Sequence, residues 1–184
     1  MTAMNDKKIY KWLQAWFPEL DYKKVPKEKQ RRDFEHFKAW MVVEKGGKKT
    51  RSFLMSVHPA RLQNNTVASS AVLQDLNLNL DKMHFELIQA IQPILVHYEL
   101  NQQNIGKNYA VHEQAAEMLL SRIYQLLKEK KLKMLLIYAD QYYWIAVPEH
   151  AEKVNKFCKK FEKQFKADDV RIELFALQDC LQST

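Results

Sequence analysis

Glycine is scarce in this sequence, with only Gly46, Gly47 and Gly106 in 184 residues. Average usage is about 7%. Glycine supplies the positive-φ conformations of phosphate-cradling loops, so glycine-rich nucleotide sites are nearly excluded. Cysteine is rarer still. Cys158 and Cys180 provide no disulfide framework and suit a reducing cytoplasm. Long apolar runs are missing too: the longest, Met134 to Ala139, is far shorter than the roughly 20 residues of a membrane-spanning helix. Residues 1–17 carry Lys7, Lys8 and Lys11 but no apolar stretch of a secretory signal. These absences predict a cytoplasmic chain with no membrane span.

Complete catalytic motifs are also lacking. Lys45 to Thr50 contains the tail of a P-loop, but the required earlier glycine falls on Val42, and the segment reads strand–turn–strand. His112-Glu113 begins a zinc-protease helix, yet Ala116 stands where the second histidine ligand belongs. No G-x-S-x-G elbow occurs, and Cys158 falls on an apolar helical stripe where a thiol is normally inert. Neither a cofactor nor a resident metal is therefore expected, and a non-enzymatic role is favoured.

What the chain does have is an uneven distribution of charge. Residues 1–61 hold 15 Lys and Arg against 7 Asp and Glu, whereas the whole chain is only +7. Residues 62–127 are net acidic, with 3 basic and 6 acidic side chains. A basic third of this kind points to a polyanionic partner.

Hydrophobic periodicity supplies the elements. Asn5 is placed to cap a first helix carrying Ile9, Trp12, Leu13, Trp16 and Phe17, which Pro18 stops. Residues 18–32 read as a connection. Residues 37–44 and 50–57 read as a hairpin about a two-residue Gly46-Gly47 turn, with Glu44 opposite Lys49, Val42 opposite Arg51 and Trp40 opposite Phe53. Residues 58–80 carry conflicting signals, with Thr66 a possible cap.

Asp81 can cap a long helix interrupted at Pro93, where a bend or break is expected. After Gly106, a second helix turns Ala115, Leu119, Leu120, Ile123, Tyr124 and Leu127 inward. Strands at 132–138 and 142–147 surround Asp140. The first is apolar on both faces, which predicts a strand covered on both sides. Pro148 then opens a helix at 149–166 with Val154, Phe157, Cys158, Phe161 and Phe165 on its stripe, and a strand at 170–177 closes the chain. The expected core includes Leu95, Leu136, Ile137, Ile145 and Leu174 beside these residues.

The fold class that follows is α+β: one domain over 1–184 in which an antiparallel sheet, built from two hairpins and a C-terminal strand, is packed by several helices. From the end of the first hairpin the order β-α-β-β-α-β matches a ferredoxin-like split βαβ unit with N-terminal additions.

The hairpin is the expected functional element. One of its faces would carry Lys38, Trp40, Arg51 and Phe53, with Lys45, Lys48 and Lys49 at the tip. Rings can stack bases while cations follow phosphates. A competing reading covers Trp40 and Phe53 with Trp12 and Trp16 of the first helix and leaves only a solvated cationic tip.

The leading expectation is a nucleic-acid-binding accessory protein. The first alternative is a protein–protein adaptor or inhibitor using an aromatic surface such as Tyr142-Tyr143-Trp144. The second is a divergent metal-dependent nuclease built on Asp33, Glu35, Lys38, Glu44 and Asp140.

Overall fold

The computed structural model describes residues 6–45, 49–61, 67–101 and 110–177. Asn5, Gly46, Gly47, Lys48, Thr66, Gly106 and Cys180 lie outside the described residues. The elements are helix α1 (Lys8–Trp16), helix α2 (Phe34–Trp40), strands β1 (Val42–Lys45), β2 (Lys49–Ser52) and β3 (Met55–Val57), helices α3 (Ala71–Asp75), α4 (Leu80–Asn101) and α5 (Val111–Glu129), strands β4 (Leu132–Tyr138) and β5 (Tyr142–Pro148), helix α6 (Val154–Gln164) and strand β6 (Arg171–Leu174). The class is α+β with antiparallel sheets.

The two hairpins do not share a sheet, which corrects the single-sheet expectation. β1 and β2 form a two-stranded ribbon of their own, while the main sheet runs β3-β5-β4-β6. β4 lies inside that sheet, and its alternate side chains serve two separate cores. Leu135 and Ile137, with Tyr143, Ile145 and Val147 of β5, pack against α1, α2 and α6. Met134 and Leu136, with Trp144 and Ala146, pack against α4 and α5. A strand apolar on both faces is therefore covered on both faces, as its sequence indicates.

The strand order explains this layering. β3 and β4 are parallel with β5 between them, and β5 and β6 are parallel with β4 between them. Both crossings step the same way across the sheet although their strands point in opposite directions. Right-handed crossings then require the helices on opposite faces, and α5 and α6 do belong to opposite cores. The β-α-β-β-α-β order is present, but placing β6 beside β4 rather than beside β3 gives helices on both sides of the sheet.

The first hairpin departs most from its expected form. Residues 34–40 are helical, not extended, because Asp33 caps the segment by accepting the His36 backbone N–H at 2.9 Å. Glu35 and Lys38 pair across one turn at 2.5 Å, and Phe34, Phe37, Trp40 and Met41 bury a single helical face. The strands that follow are offset by one residue from the expected register: Val43 faces Arg51, Glu44 faces Thr50 and Lys45 faces Lys49. Trp40 consequently has no strand partner, and Phe53 leaves the ribbon.

Other differences are smaller. Ser70 caps α3 through the Leu73 N–H. α4 is one helix with Pro93 inside it, compatible with the first form of the expectation, a bend, and at its start Asn79, not Asp81, accepts the Lys82 N–H. Pro148 ends β5 opposite Leu132, a strand end where a missing donor is tolerated, so α6 begins only at Val154. Leu95 is only half-buried, packed against the α4–α5 core, and Leu174 is exposed. Leu119, Ile123, Leu136, Ile137, Ile145, Val154, Phe157 and Phe161 are buried as expected.

Candidate nucleic-acid interface

The ring-and-cation face expected on the hairpin is not assembled. Trp40 is 6% and Phe53 5% exposed. Trp40 sits edge-on to Tyr10 and donates its indole N–H to the Lys24 carbonyl at 3.2 Å. Phe53 stacks on Phe17 with ring centres 4.5 Å apart. Neither ring can receive a base.

Arg51 is buried as well, and the partners of its two terminal nitrogens are all internal. Its guanidinium reaches Glu19 at 3.2 Å and Asp75 at 2.6 Å, and donates to the Ala71 carbonyl at 2.7 Å. It ties the ribbon to α3 and to the turn after α1, and it cannot meet a phosphate. Arg51→Gln is expected to destabilise the fold by about 1.5–3 kcal/mol, the range for hydrogen bonds to charged groups. A urea midpoint that does not move would contradict this structural role.

Lys38 lies on α2, apart from the ribbon. Burial draws its pKa down, but the contacts with Glu35, Tyr143 and Asp140 outweigh that and raise it. Its ammonium stands 3.1 Å from the Tyr143 hydroxyl and 3.8 Å from Asp140. Of the expected site, Lys45 and Lys49 hold strand positions at the ribbon end and Lys48 is outside the described residues.

Further cations of the basic third are also engaged internally. Lys23 donates to the carbonyls of Trp40 and Val42, and Arg32 pairs with buried Asp6 at 3.1 Å.

A different set of cations stays at the surface, and the packing of α1 on α6 gathers it. Ile9, Tyr10 and Leu13 of α1 point into the core. Trp12 and Trp16 lean on Phe157 of α6, with ring centres 6.3 and 4.9 Å away. Lys8 lies over the Trp12 ring at 5.3 Å, and Lys11 is exposed beside it.

On α6, Val154, Phe157, Phe161 and Gln164 face inward. One flank carries Glu162, which accepts the Ile172 N–H of β6 at 3.2 Å. Lys156, Lys160 and Lys163 recur at three- and four-residue spacing on the opposite flank, with Lys159 at the crest. That flank adjoins α1, whose nine residues include no acid. None of Lys8, Lys11, Lys156, Lys159, Lys160 and Lys163 stands in an ion pair among the described residues. α6 thus presents Lys156, Lys159, Lys160 and Lys163 on its outer side, while on α1 Lys8 stands over Trp12 at the seam and Lys11 is exposed.

Two acidic clefts lie elsewhere. Asp33, Glu35, Asp140 and Asp168 line one of about 340 Å³, bringing together three of the carboxylates considered for nuclease chemistry. Each already has a structural duty. Asp33 caps α2, Asp168 accepts the Phe34 N–H at 2.9 Å, Glu35 pairs with Lys38, and Asp140 accepts from the Tyr143 hydroxyl at 2.9 Å. Among the described residues no three His, Cys, Asp or Glu side chains converge as a metal-binding group.

The second cleft, about 440 Å³, is bordered by His112, Glu113, Asp140 and Tyr142. Tyr142 donates to Glu113 and Tyr138 to Glu173. Burial first, then Glu113, pushes the Tyr142 hydroxyl up to about 12. A folded-state value above the unfolded one means the contact contributes stability below pH ~10. That contribution should fade as pH rises through about 12. Burial also raises Tyr10, Tyr138 and Tyr143, so an ultraviolet titration should show several late phenolates, one of which Glu113→Gln moves to lower pH; an unchanged curve would contradict the contact.

Cys158 is half-buried, and burial with the nearby Glu162 carboxylate pushes its thiol up to about 11. This agrees with the inert role read from its stripe. No helix among the described residues is long and apolar enough to cross a membrane. No family model, curated protein or solved structure matches this chain.

Proposed function

We propose that the protein is a non-enzymatic accessory protein that binds nucleic acid, and that the α1–α6 surface rather than the hairpin face is its principal contact. The observation that carries this reading is the set of six lysines on two packed helices with no acidic partner among the described residues. Lysines held apart without counter-charges repel one another, and a polyanion relieves that repulsion while releasing its own condensed counterions. Lys45 and Lys49, at strand positions, and Lys48, their neighbour in sequence, are proposed as a secondary group of cations.

The adaptor alternative relies on Tyr142-Tyr143-Trp144. Tyr143 and Trp144 are buried in the sheet, which leaves little of that surface to offer a partner.

Fluorescence anisotropy of a labelled oligonucleotide at 50 and 200 mM salt tests the function. Binding should weaken by about 10³-fold for six phosphate contacts across that range. No binding at the lower salt would refute the proposal.

A further inference from the structure

We infer that the α1–α6 surface takes double-stranded rather than single-stranded nucleic acid, holding the phosphate backbone without reading bases. The inference rests on the nucleic-acid reading above and specifies its substrate.

Single-strand binders combine a cationic groove with aromatic platforms on which successive bases stack. On this surface the cations stand beside two half-buried tryptophans rather than open platforms: both lean on Phe157, and Lys8 lies over the Trp12 ring. Trp40 and Phe53, also in the basic third, are enclosed in the core. The most exposed ring of that third is Tyr22, at 68%, and it belongs to the turn after α1 rather than to either lysine row.

The cations themselves favour a duplex. All six are lysines, compact point charges without the planar fork that makes bidentate contacts to guanine. They recur on α6 at helical spacing, and the buried Phe157 and Phe161 hold the helix that carries them, so their attachment points form a regular row. A regular line of phosphates meets such a row without the ordering entropy a flexible strand would lose.

Counterion release adds to this preference. Each phosphate contact contributes a slope of about 0.9 on a duplex and about 0.7 on a single strand. For equal affinities at 1 M salt, six contacts would favour the duplex roughly fifteenfold at about 0.1 M, before any geometric term.

The test uses the full chain and three labelled probes: a 20-base-pair DNA duplex of mixed sequence, a second duplex of scrambled sequence, and a 20-nucleotide thymidine strand. Both duplexes should bind equally and at least about tenfold more tightly than the strand at 0.1 M salt, and Tyr22→Ala should leave all three affinities unchanged. A strand that binds as tightly as the duplexes would overturn the inference while leaving the nucleic-acid reading intact. So would a Tyr22→Ala variant that loses affinity, or a strong preference between the two duplexes. Failure of all three probes to bind at 50 mM salt would refute the reading and the inference together.

Discussion

Phe161→Ala should cost about 3–5 kcal/mol of folding stability, the loss for emptying an enclosed phenylalanine site. The ring is fully buried and has aromatic neighbours on several sides. Phe165 lies 4.8 Å away, Phe37 5.1 Å, Phe157 5.6 Å and Phe34 6.3 Å between ring centres. These rings come from α2, α6 and the turn after it, so none of them can collapse into the cavity without moving an element. Against a typical total of about 5–15 kcal/mol, the variant should unfold at a clearly lower urea concentration with the slope of its transition retained. A loss below about 1 kcal/mol would mean the aromatic layer is not packed as described. Leu174→Ala makes a useful contrast, because that side chain is 41% exposed and its loss should cost well under about 1 kcal/mol.

The second large effect concerns binding. Replacing Lys8, Lys11, Lys156, Lys159, Lys160 and Lys163 with Gln removes six positive charges from α1 and α6 and none from the core, since five are exposed and Lys160 is half-buried. Each phosphate left without its lysine should flatten the plot of log K against log[salt] by about 0.7–0.9, so a six-phosphate interface should forfeit nearly its whole slope. Thermal stability should stay equal or rise slightly, because like charges no longer repel across the α1–α6 seam. The core lysine and arginine give opposite expectations. Arg51→Gln and Lys23→Gln break internal hydrogen bonds, so they should lower stability and leave the salt slope near that of the unaltered chain.

Much of the fold is legible where burial and periodicity agree. β4 and β5 are readable because their apolar residues occupy both faces around the Asp140 turn, and α5 and α6 because their buried residues keep one stripe. The segment at residues 34–41 misleads because its aromatic residues fit two periods. Phe37, Ala39, Met41 and Val43 alternate like a strand, while Phe34, Phe37, Trp40 and Met41 follow a helical face. Asp33 three residues before His36 is the cap that decides between them, and it is visible in the sequence. The one-residue change of register is a matter of connection length: Lys45 faces Lys49 with three residues between them rather than two.

The site is less legible than the fold, for a definite reason. Sequence proximity suggests that neighbouring cations act together, but here the fold separates them. Arg51 is claimed by Glu19 and Asp75, Lys23 by two backbone carbonyls, and Lys38 by Glu35 and Asp140. The lysines left outside ion pairs on the helical face come from opposite ends of the chain and meet only because Trp12 and Trp16 pack on Phe157. The lysine spacing on α6 is readable in advance, but its juxtaposition with α1 is a tertiary fact.

The central claim is therefore about which cations hold the polyanion. Its most direct test is the salt dependence of duplex binding measured side by side for the unaltered chain, the six-lysine helical variant, and a ribbon variant with Lys45, Lys48 and Lys49 changed to Gln. The helical variant should lose most of the slope, while the ribbon variant should lose no more than about 0.9 for each of its three cations that touches a phosphate. A helical variant that keeps the full slope, with the ribbon variant losing it, would contradict the account and return the interface to the hairpin.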